Sequence, residues 1–432
     1  MSSPFVVEPF VAEVPLPRMR MVRRRFPASP EVDVVDELDR QWAIAGPRLG
    51  LRPGARVAVA VGSRGISDID RLVRRVVHNL KRSGCEPFIV PAMGSHGGAT
   101  AEGQTEVLAM LGITAASMGA PIRATMEVTP LGEADGTPLF IDRHAYEADG
   151  IVLVNRVKPH TDFVGLVESG PLKMLAVGLG KQVGADHYHR LGTVRDLGDI
   201  VLQAGRALLA RTNVLFAVAL VENHEHRPTI LRVVPAAELE AAELELLGVA
   251  RACLPTLPLD EIDLLIVDRM GKDVSGSGLD PNVVGRASAS WMAQRDRPRI
   301  SRVFVRDLTP ASVGNAIGLG MVDAVTTRLV DKIDIQATAV NALTSCAPED
   351  GRIPLTFPCD RDAIVTLLTT IRPCTADEVR IVHVRDTCAV GRLLVSTGCL
   401  PALEGVPGAV VEPDDLELEF DSSGDLISRL SD

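Results

Sequence analysis

The sequence predicts an α/β protein of two α/β domains with mainly parallel sheets, and three features carry the prediction. The chain has 432 residues, more than one ordinary core accommodates, so two or three domains are expected. Short apolar runs recur at 57–61, 151–154 and, interrupted only by Asp263, 262–267, as they do in strands buried on both faces. Each run then leads into a glycine-rich stretch that carries charged or imidazole side chains. In an open α/β sheet that stretch is the strand exit, where ligands bind.

The elements follow in order. Residues 1–28 alternate apolar and polar with several prolines, which suggests an edge strand or an arm crossing the body. Residues 31–49 read as a helix. A strand at 57–61 runs into Gly62-Ser63-Arg64-Gly65, and Ser67 reads as the cap of a helix with the apolar stripe Ile69, Leu72, Val73, Val76, Val77 and Leu80, ended by Gly84. A second strand, 87–93, leads into Gly94-Ser95-His96-Gly97-Gly98-Ala99-Thr100 and a short helix. Residues 113–149 read as short antiparallel strands and turns. After the strand at 151–154 comes a glycine-rich loop bearing Asn155, Arg156, Lys158, His160, Asp162, Lys173, Lys181, His187 and His189. Residues 193–210 form a helix, 214–221 a buried strand, 229–234 its partner and 235–252 a helix. The turn with Pro255 and Pro258 sets the boundary near residue 260, giving domains 1–260 and 261–432.

The second domain opens with a strand at 262–267 and a glycine-rich exit at 271–286 carrying Lys272, Asp273, Asp280, Asn282 and Arg286. A strand at 303–305, a helix over 321–331 and a strand at 381–384 complete the pattern. The acidic tail after Pro413 is expected on the surface.

Composition narrows the function classes. With 45 basic and 56 acidic residues the net charge is −11, and no basic tract interleaves with aromatics, so nucleic acid is not expected as a partner. Seven cysteines are scattered without a C-x-x-C pair, which points to a reducing cytoplasmic setting and against a disulfide framework or thiolate zinc site. No apolar stretch follows a basic start, and the longest apolar run, 214–221, is too short for a bilayer. Neither export nor a membrane is expected.

The two loops after the first strands rhyme, each placing Gly-Ser, a basic residue and Gly at a strand-to-helix turn, where free N–H groups favour an anion. Neither is a dinucleotide fingerprint or a Walker loop. Arg64 and His96 sit at the tips, and because strands joined by a helix are usually parallel neighbours, both tips should share one sheet edge. Two histidines on separate exits, His96 and His160, can flank a small substrate and move protons near neutral pH. A guanidinium such as Arg64 or Arg286 can hold a carboxylate through paired hydrogen bonds. That set suits inversion of a carbon bearing OH and COOH, and inversion through a ketone needs a hydride sink that only a cofactor supplies. On a strand, the pairs His187-x-His189 and His224-x-His226 would each put two imidazoles on one face, though such pairs arise often by chance and His224 and His226, between two strands, read as an exposed turn.

On these residues the sequence resembles the nickel-dependent lactate racemase family of 2-hydroxy acid racemases and epimerases. The likeness lies in Ser63-Arg64, in the loop at 91–100, in 155–160 (NRVKPH), in the Lys173 segment and in 184–189. It covers most of the first 260 residues and the second half more loosely. The resemblance implies a nickel pincer nucleotide built on a pyridinium mononucleotide, tethered by Lys173 with His189 as nickel ligand and His187 as the less favoured substitute. It implies His96 and His160 as proton acceptor and donor, Arg64 as substrate-binding, and an active-site cleft between the two domains. Ser63, Gly94, Ser95 and Gly97 are the expected cofactor-binding loop residues. The expected partners are a small 2-hydroxy acid and the enzymes that make the cofactor, with a homodimer left open.

The sequence also departs from the family pattern. The family's acidic residue ahead of the arginine has no counterpart among Val61, Gly62 and Ser63. The loop between His160 and Lys173 is longer and carries Glu168 and Ser169. The glutamine and lysine of the second domain are not visible, so Lys272 or Arg286 stands in for substrate binding. Two rival readings follow: a lyase or dehydratase using the same histidines, and a noncatalytic protein that binds a hydroxy acid or the cofactor.

Overall fold

The computed structural model describes residues 6–7, 14–27, 29–63 and 66–430. They divide into two compact units, one formed by Ser29–Leu254 and the other by Pro255–Asp432 with the segment ahead of residue 29. Strand β1 (Met19–Arg24) belongs to the second of these, so this part of the stretch expected in the first domain is placed in the other unit. It pairs antiparallel with the strand at Arg392–Ser396, and Met19 and Val22 are wholly buried, so a ladder and two core side chains hold it there.

The unit Ser29–Leu254 is built on five strands: β2 (Arg56–Val61), β3 (Glu86–Pro91), β6 (Gly150–Arg156), β7 (Val214–Glu222) and β8 (Pro228–Pro235), with a separate hairpin of β4 (Val128–Ala134) and β5 (Thr137–Asp142). The order across the sheet is β3-β2-β6-β7-β8. The first four run parallel and β8 closes the edge antiparallel. Residues 57–61 and 152–154 are fully buried, as a parallel sheet covered on both faces requires. The helix Val34–Ala45 starts at Asp33, whose carboxylate accepts from the N–H groups of Val35 and Asp36.

The helix Ile69–Arg82 buries its whole predicted stripe. Its cap differs from the expectation: Asp68 precedes it with φ +59°, and Ser67 donates its N–H to Glu222 Oε1 at 2.9 Å. That bond ties the exit of β2 to the exit of β7. A larger difference lies at 171–192, expected as loop. It is helical almost throughout: Pro171–Lys173, a wide five-residue turn at Met174–Gly178, then Lys181–Gly192. The glycines that look like loop residues are close-packing positions. A Cβ on Gly178, for example, would lie 2.7 Å from Ala92 O.

The second unit carries β9 (Glu261–Val267), β10 (Arg299–Val305), β11 (Ala324–Thr326), β12 (Leu355–Phe357), β13 (Ile381–Val384), β14 (Arg392–Ser396) and β15 (Ala409–Val411). With β1 they form one sheet in the order β12-β11-β10-β9-β13-β14-β1-β15. The helix expected over 321–331 is instead β11 followed by the short helix Thr327–Val330, because Ala324 and Val325 pair with Phe304 and Val305 in the sheet. The tail is not a surface segment throughout. Leu418, Leu426 and Leu430 are buried, and Leu426 N–H donates to Asp360 Oδ2 at 2.8 Å. Among the described residues no helix is long and apolar enough to cross a membrane.

Candidate functional site

Because β3, β2 and β6 are parallel neighbours, the segments leaving their carboxyl ends share one edge of the sheet. Those segments carry Ser63, His96 and His160. The first two meet directly, the Ser63 hydroxyl hydrogen-bonding His96 Nδ1. The β2 exit also lies against the third segment: a Cβ on Gly62 would be 3.4 Å from Met174 Cε and 3.8 Å from Asn155 Oδ1. Arg64, at the tip of that exit, lies outside the described residues.

The loop that follows β3 is braced from inside. Lys181 and Gln104 are wholly buried. Lys181 Nζ donates to Pro91 O at 2.5 Å and to Gln104 Oε1 at 3.0 Å, and lies 3.1 Å from Asp142 Oδ2. Burial pushes the Lys181 pKa down and the Asp142 pKa up, and in each the attraction of the other opposes the shift. Two of its hydrogens thus have oxygen acceptors, and the Asp142 carboxylate beside it favours the charged form of the ammonium. Gln104 Nε2 in turn donates to Gly94 O at 2.8 Å and to His96 O at 3.3 Å.

Two of the loop's N–H groups are engaged within the protein, Gly94 with Gly178 O at 3.0 Å and His96 with Met93 O at 3.1 Å. Gly94 therefore does not serve an anion through its N–H, which corrects that expectation. Gly97 has φ +65°, and a Cβ there would lie 2.6 Å from Gln104 N, so helix packing accounts for that glycine. Ser95 is half-buried and His96 exposed.

His160 sits in a closed loop, pinned where Lys158 and Ser169 exchange main-chain hydrogen bonds of 2.9 and 3.1 Å. Its ring is 9% exposed and stacks on Phe163 with centroids 4.2 Å apart. Nδ1 accepts the N–H of Asp162 at 3.0 Å, so the neutral ring carries its proton on Nε2. Its main-chain N–H donates to Glu168 Oε2 at 2.5 Å, while Glu168 Oε1 accepts from Gly165 N at 3.3 Å and from Arg251 at 2.5 Å. The longer loop between His160 and Lys173 thus folds around a buried carboxylate. At the end of β6, Arg156 pairs with Glu222, the residue that also holds Ser67.

Lys173 is half-buried at the end of the helix Pro171–Lys173. Two groups fix this turn: Asn155 Nδ2 donates to Gly170 O at 2.9 Å, and Leu172 N–H donates to Glu243 Oε2 at 2.9 Å. Glu243 is 1% exposed, and burial pushes its carboxyl to about 8, the Leu172 N–H pulling down and Glu240 adding a smaller push upward. It is a neutral acid at pH 7.

His187 and His189 lie on the helix Lys181–Gly192 and not on a strand. Two residues apart on a helix means about 200° apart around it, so they do not form a chelating pair. His187 is exposed, with Nδ1 2.9 Å from Val183 O, whereas His189 is half-buried.

Lys272 and Arg286 belong to the second unit. Lys272 Nζ donates to Gly276 O at 2.8 Å and to Asn341 Oδ1 at 2.7 Å. Arg286 is a structural clamp, which corrects its assignment to substrate. One terminal nitrogen donates to Met321 O at 2.9 Å and Asp323 Oδ2 at 2.7 Å, the other to Ile300 O and Ser301 O at 2.8 Å. Its fork is engaged where a carboxylate would have to bind. Among the described residues no group of three or more His, Cys, Asp or Glu is placed to hold a metal ion.

Sequence reasoning passed over Gln104 and Glu243, quoted Lys181 only among the polar residues of the central loop, and quoted Glu168 only as part of a longer loop. A signal existed for two of them. Gln104 shares the buried face of its helix with Leu108, and Glu243 lies on the stripe of Leu239, Leu246, Leu247 and Ala250. A polar residue on an apolar stripe has an internal partner to serve.

Comparison with known proteins gives a family-model match over part of the chain and several solved structures, among them the following two. The family model described as the lactate racemase N-terminal domain matches residues 48–197. A protein from Thermotoga maritima is 15% identical, with 65% of this chain and 72% of that one covered and a TM-score of 0.46. The lactate racemase apoprotein from Thermoanaerobacterium thermosaccharolyticum is 12% identical, with 77% and 95% covered and a TM-score of 0.44. Comparison with curated proteins found no match.

Proposed function

From the match of residues 48–197 to the lactate racemase N-terminal domain model, we propose a racemase or epimerase that inverts C2 of a 2-hydroxy acid. The observation that carries this reading is the shared sheet edge, where two imidazoles leave separate strands, each with Nδ1 already engaged. Nε2 is then the working atom of both rings. His160 Nε2 bears the proton in the neutral ring and would hydrogen-bond a substrate oxygen there; to donate a proton the ring acts as the imidazolium, its Nδ1–H replacing the accepted Asp162 N–H. His96, turned by Ser63, is poised to accept the hydroxyl proton from the other enantiomer, and the roles exchange in the reverse direction. Arg64 is assigned to the substrate carboxylate, a geometry that its planar fork matches.

Lys173 and His189 suit a nickel pincer nucleotide by their chemistry, an amine for the covalent tether and an imidazole for a borderline metal. Both are half-buried, and their helical segments pack closely, a Cβ on Gly184 falling 3.6 Å from Ala176 O. A lone imidazole completes a coordination shell only for a metal that brings its other donors, as this nucleotide does. When bound, the group supplies an acceptor for the C2 hydrogen and its electron pair, which side chains lack.

The test is to produce the protein together with the cofactor-making enzymes and measure nickel, visible absorbance and the chiral composition of single-enantiomer hydroxy acids. Stoichiometric nickel with racemisation of one acid is expected, and His189→Ala should lose the metal. A loaded protein that inverts no hydroxy acid overturns the activity. Nickel retained by His189→Ala overturns the ligand assignment.

A further inference from the structure

We infer that Gln104, held by the buried Lys181–Asp142 pair, is the positioning residue of His96. The inference deepens the reading of His96 as a proton-transfer group and rests on it. Its basis is a chain of buried polar contacts that ends on the main chain of the histidine. Lys181 is a donor only, and its ammonium meets Gln104 Oε1, Pro91 O and Asp142 Oδ2. The carbonyls of Gly94 and His96 are acceptors only, and both face Gln104 Nε2. A donor on one side and acceptors on the other leave the amide one orientation, so it cannot flip.

The position of this chain is costly to maintain. Gln104, Lys181 and Asp142 are all at 0% exposure, and burying such groups in place of apolar ones forgoes stability. Lys181 also holds φ +55°, in the left-handed region that non-glycine residues seldom adopt. Lys181 stands at the start of its helix, Asp142 at the end of β5 and Gln104 on the helix Ala101–Met110. The three elements thus converge on the loop of residues 94–98, whose histidine side chain is itself exposed. His160 is held by different groups, Glu168 and the Asp162 N–H. The two imidazoles therefore have separate supports, and disturbing one support should leave the other ring unchanged.

Gln104→Met keeps the size and neutrality of the side chain and removes the donors to Gly94 O and His96 O. The full-length chain would be labelled at histidine Cε1 and titrated by NMR without cofactor, with His96→Gln and His160→Gln identifying the two signals. The expected result is a His96 signal that moves or broadens and titrates differently, with the His160 signal superimposable on the parent. In the nickel-loaded enzyme kcat should fall ten- to hundredfold, the usual consequence of a misplaced group, with KM changed less than twofold. A His96 signal identical to the parent, or equal changes at both histidines in a folded protein, overturns the inference. If Gln104→Met does not fold, Gln104→Asn keeps the amide and withdraws it by one carbon, and the same selective change at His96 is required of it. Failure of the wild-type enzyme to invert any hydroxy acid would count against the proposed activity alone, because the NMR titration needs neither cofactor nor turnover.

Discussion

Replacing Glu243 by Gln gives a pH-dependent gain whose size follows from burial. The carboxyl has an ordinary value of 4.5 and is pushed to about 8 in the folded chain, chiefly by burial. Between those values the unfolded chain has released the proton and the folded chain still binds it. The folded state thus holds more protons, and stability falls as pH rises through the window, by about 1.4 kcal/mol per pH unit. Over the whole window the loss is on the order of 4–5 kcal/mol, and above pH 8 it levels off. Gln cannot titrate and shows no such slope. Its amide NH2 next to Gly170 adds an offset, but an offset is the same at every pH. Urea unfolding of both proteins at pH 5, 6, 7 and 8, compared as a difference, cancels every other titrating group. The difference should climb steadily in favour of Glu243→Gln. Parallel stability curves over that range would refute the assignment of a neutral, buried acid beneath the Lys173 turn.

Other outcomes follow from the same contacts. Glu168→Ala removes a charged acceptor from the N–H groups of His160 and Gly165 and should cost about 2–4 kcal/mol in denaturant unfolding. The Arg251 share is small, since that side chain is 47% exposed; a loss below ~0.5 kcal/mol, or unchanged hydrogen exchange at the His160 amide, contradicts the clamp. Asp268 is pushed up by burial but held at about 2 by the hydrogen bond and charge of His383, then by Arg306 and Ser428. Its contribution is complete above the ordinary 3.8 and disappears as pH falls toward about 2, worth roughly 2–3 kcal/mol. Asp268→Asn should therefore lose its disadvantage to the parent between pH 5 and 2 in acid unfolding, and a constant gap would be inconsistent. Arg286→Ala should destabilise the protein by about 2–4 kcal/mol in the same denaturant assay, and unchanged stability would reopen its assignment to substrate.

Much of the architecture was readable because it rests on apolar periodicity. The strands at 57–61, 151–154, 214–221 and 262–267 and the stripe from Ile69 to Leu80 appear where the pattern put them. The parts that were not readable are those where one residue type serves two ends. Glycines at 178, 180 and 184 suggested a loop, yet they let helical segments pack against each other and against Ala92. A local pattern cannot distinguish a glycine that bends the chain from one that makes room for a neighbour 80 residues away. The N-terminal strand failed for a similar reason, since its ladder partners lie in the last forty or so residues of the chain. The same blindness explains Arg286, whose partners at 300 and 301 lie in β10 and at 321 and 323 just ahead of β11, segments that only the fold brings to it.

The residues around the candidate site that sequence reasoning missed, or named without a supporting role, share one property. Gln104, Lys181, Glu168 and Glu243 are each at most 2% exposed, yet each bonds to main chain on the elements bearing His96, His160 or Lys173. A parallel sheet gives its exit loops a common edge, but it does not fix the loops themselves, which lack ladders of their own. Here the fixing is done from beneath by buried polar groups, each of which is less stable than an apolar residue of equal size would be. That cost is sensible only where loop geometry matters more than the stability forgone, and all four positions fall under the one sheet edge. These four buried polar side chains therefore brace the same loops that carry the histidines and Lys173, a relation that rests on their contacts and not on any resemblance.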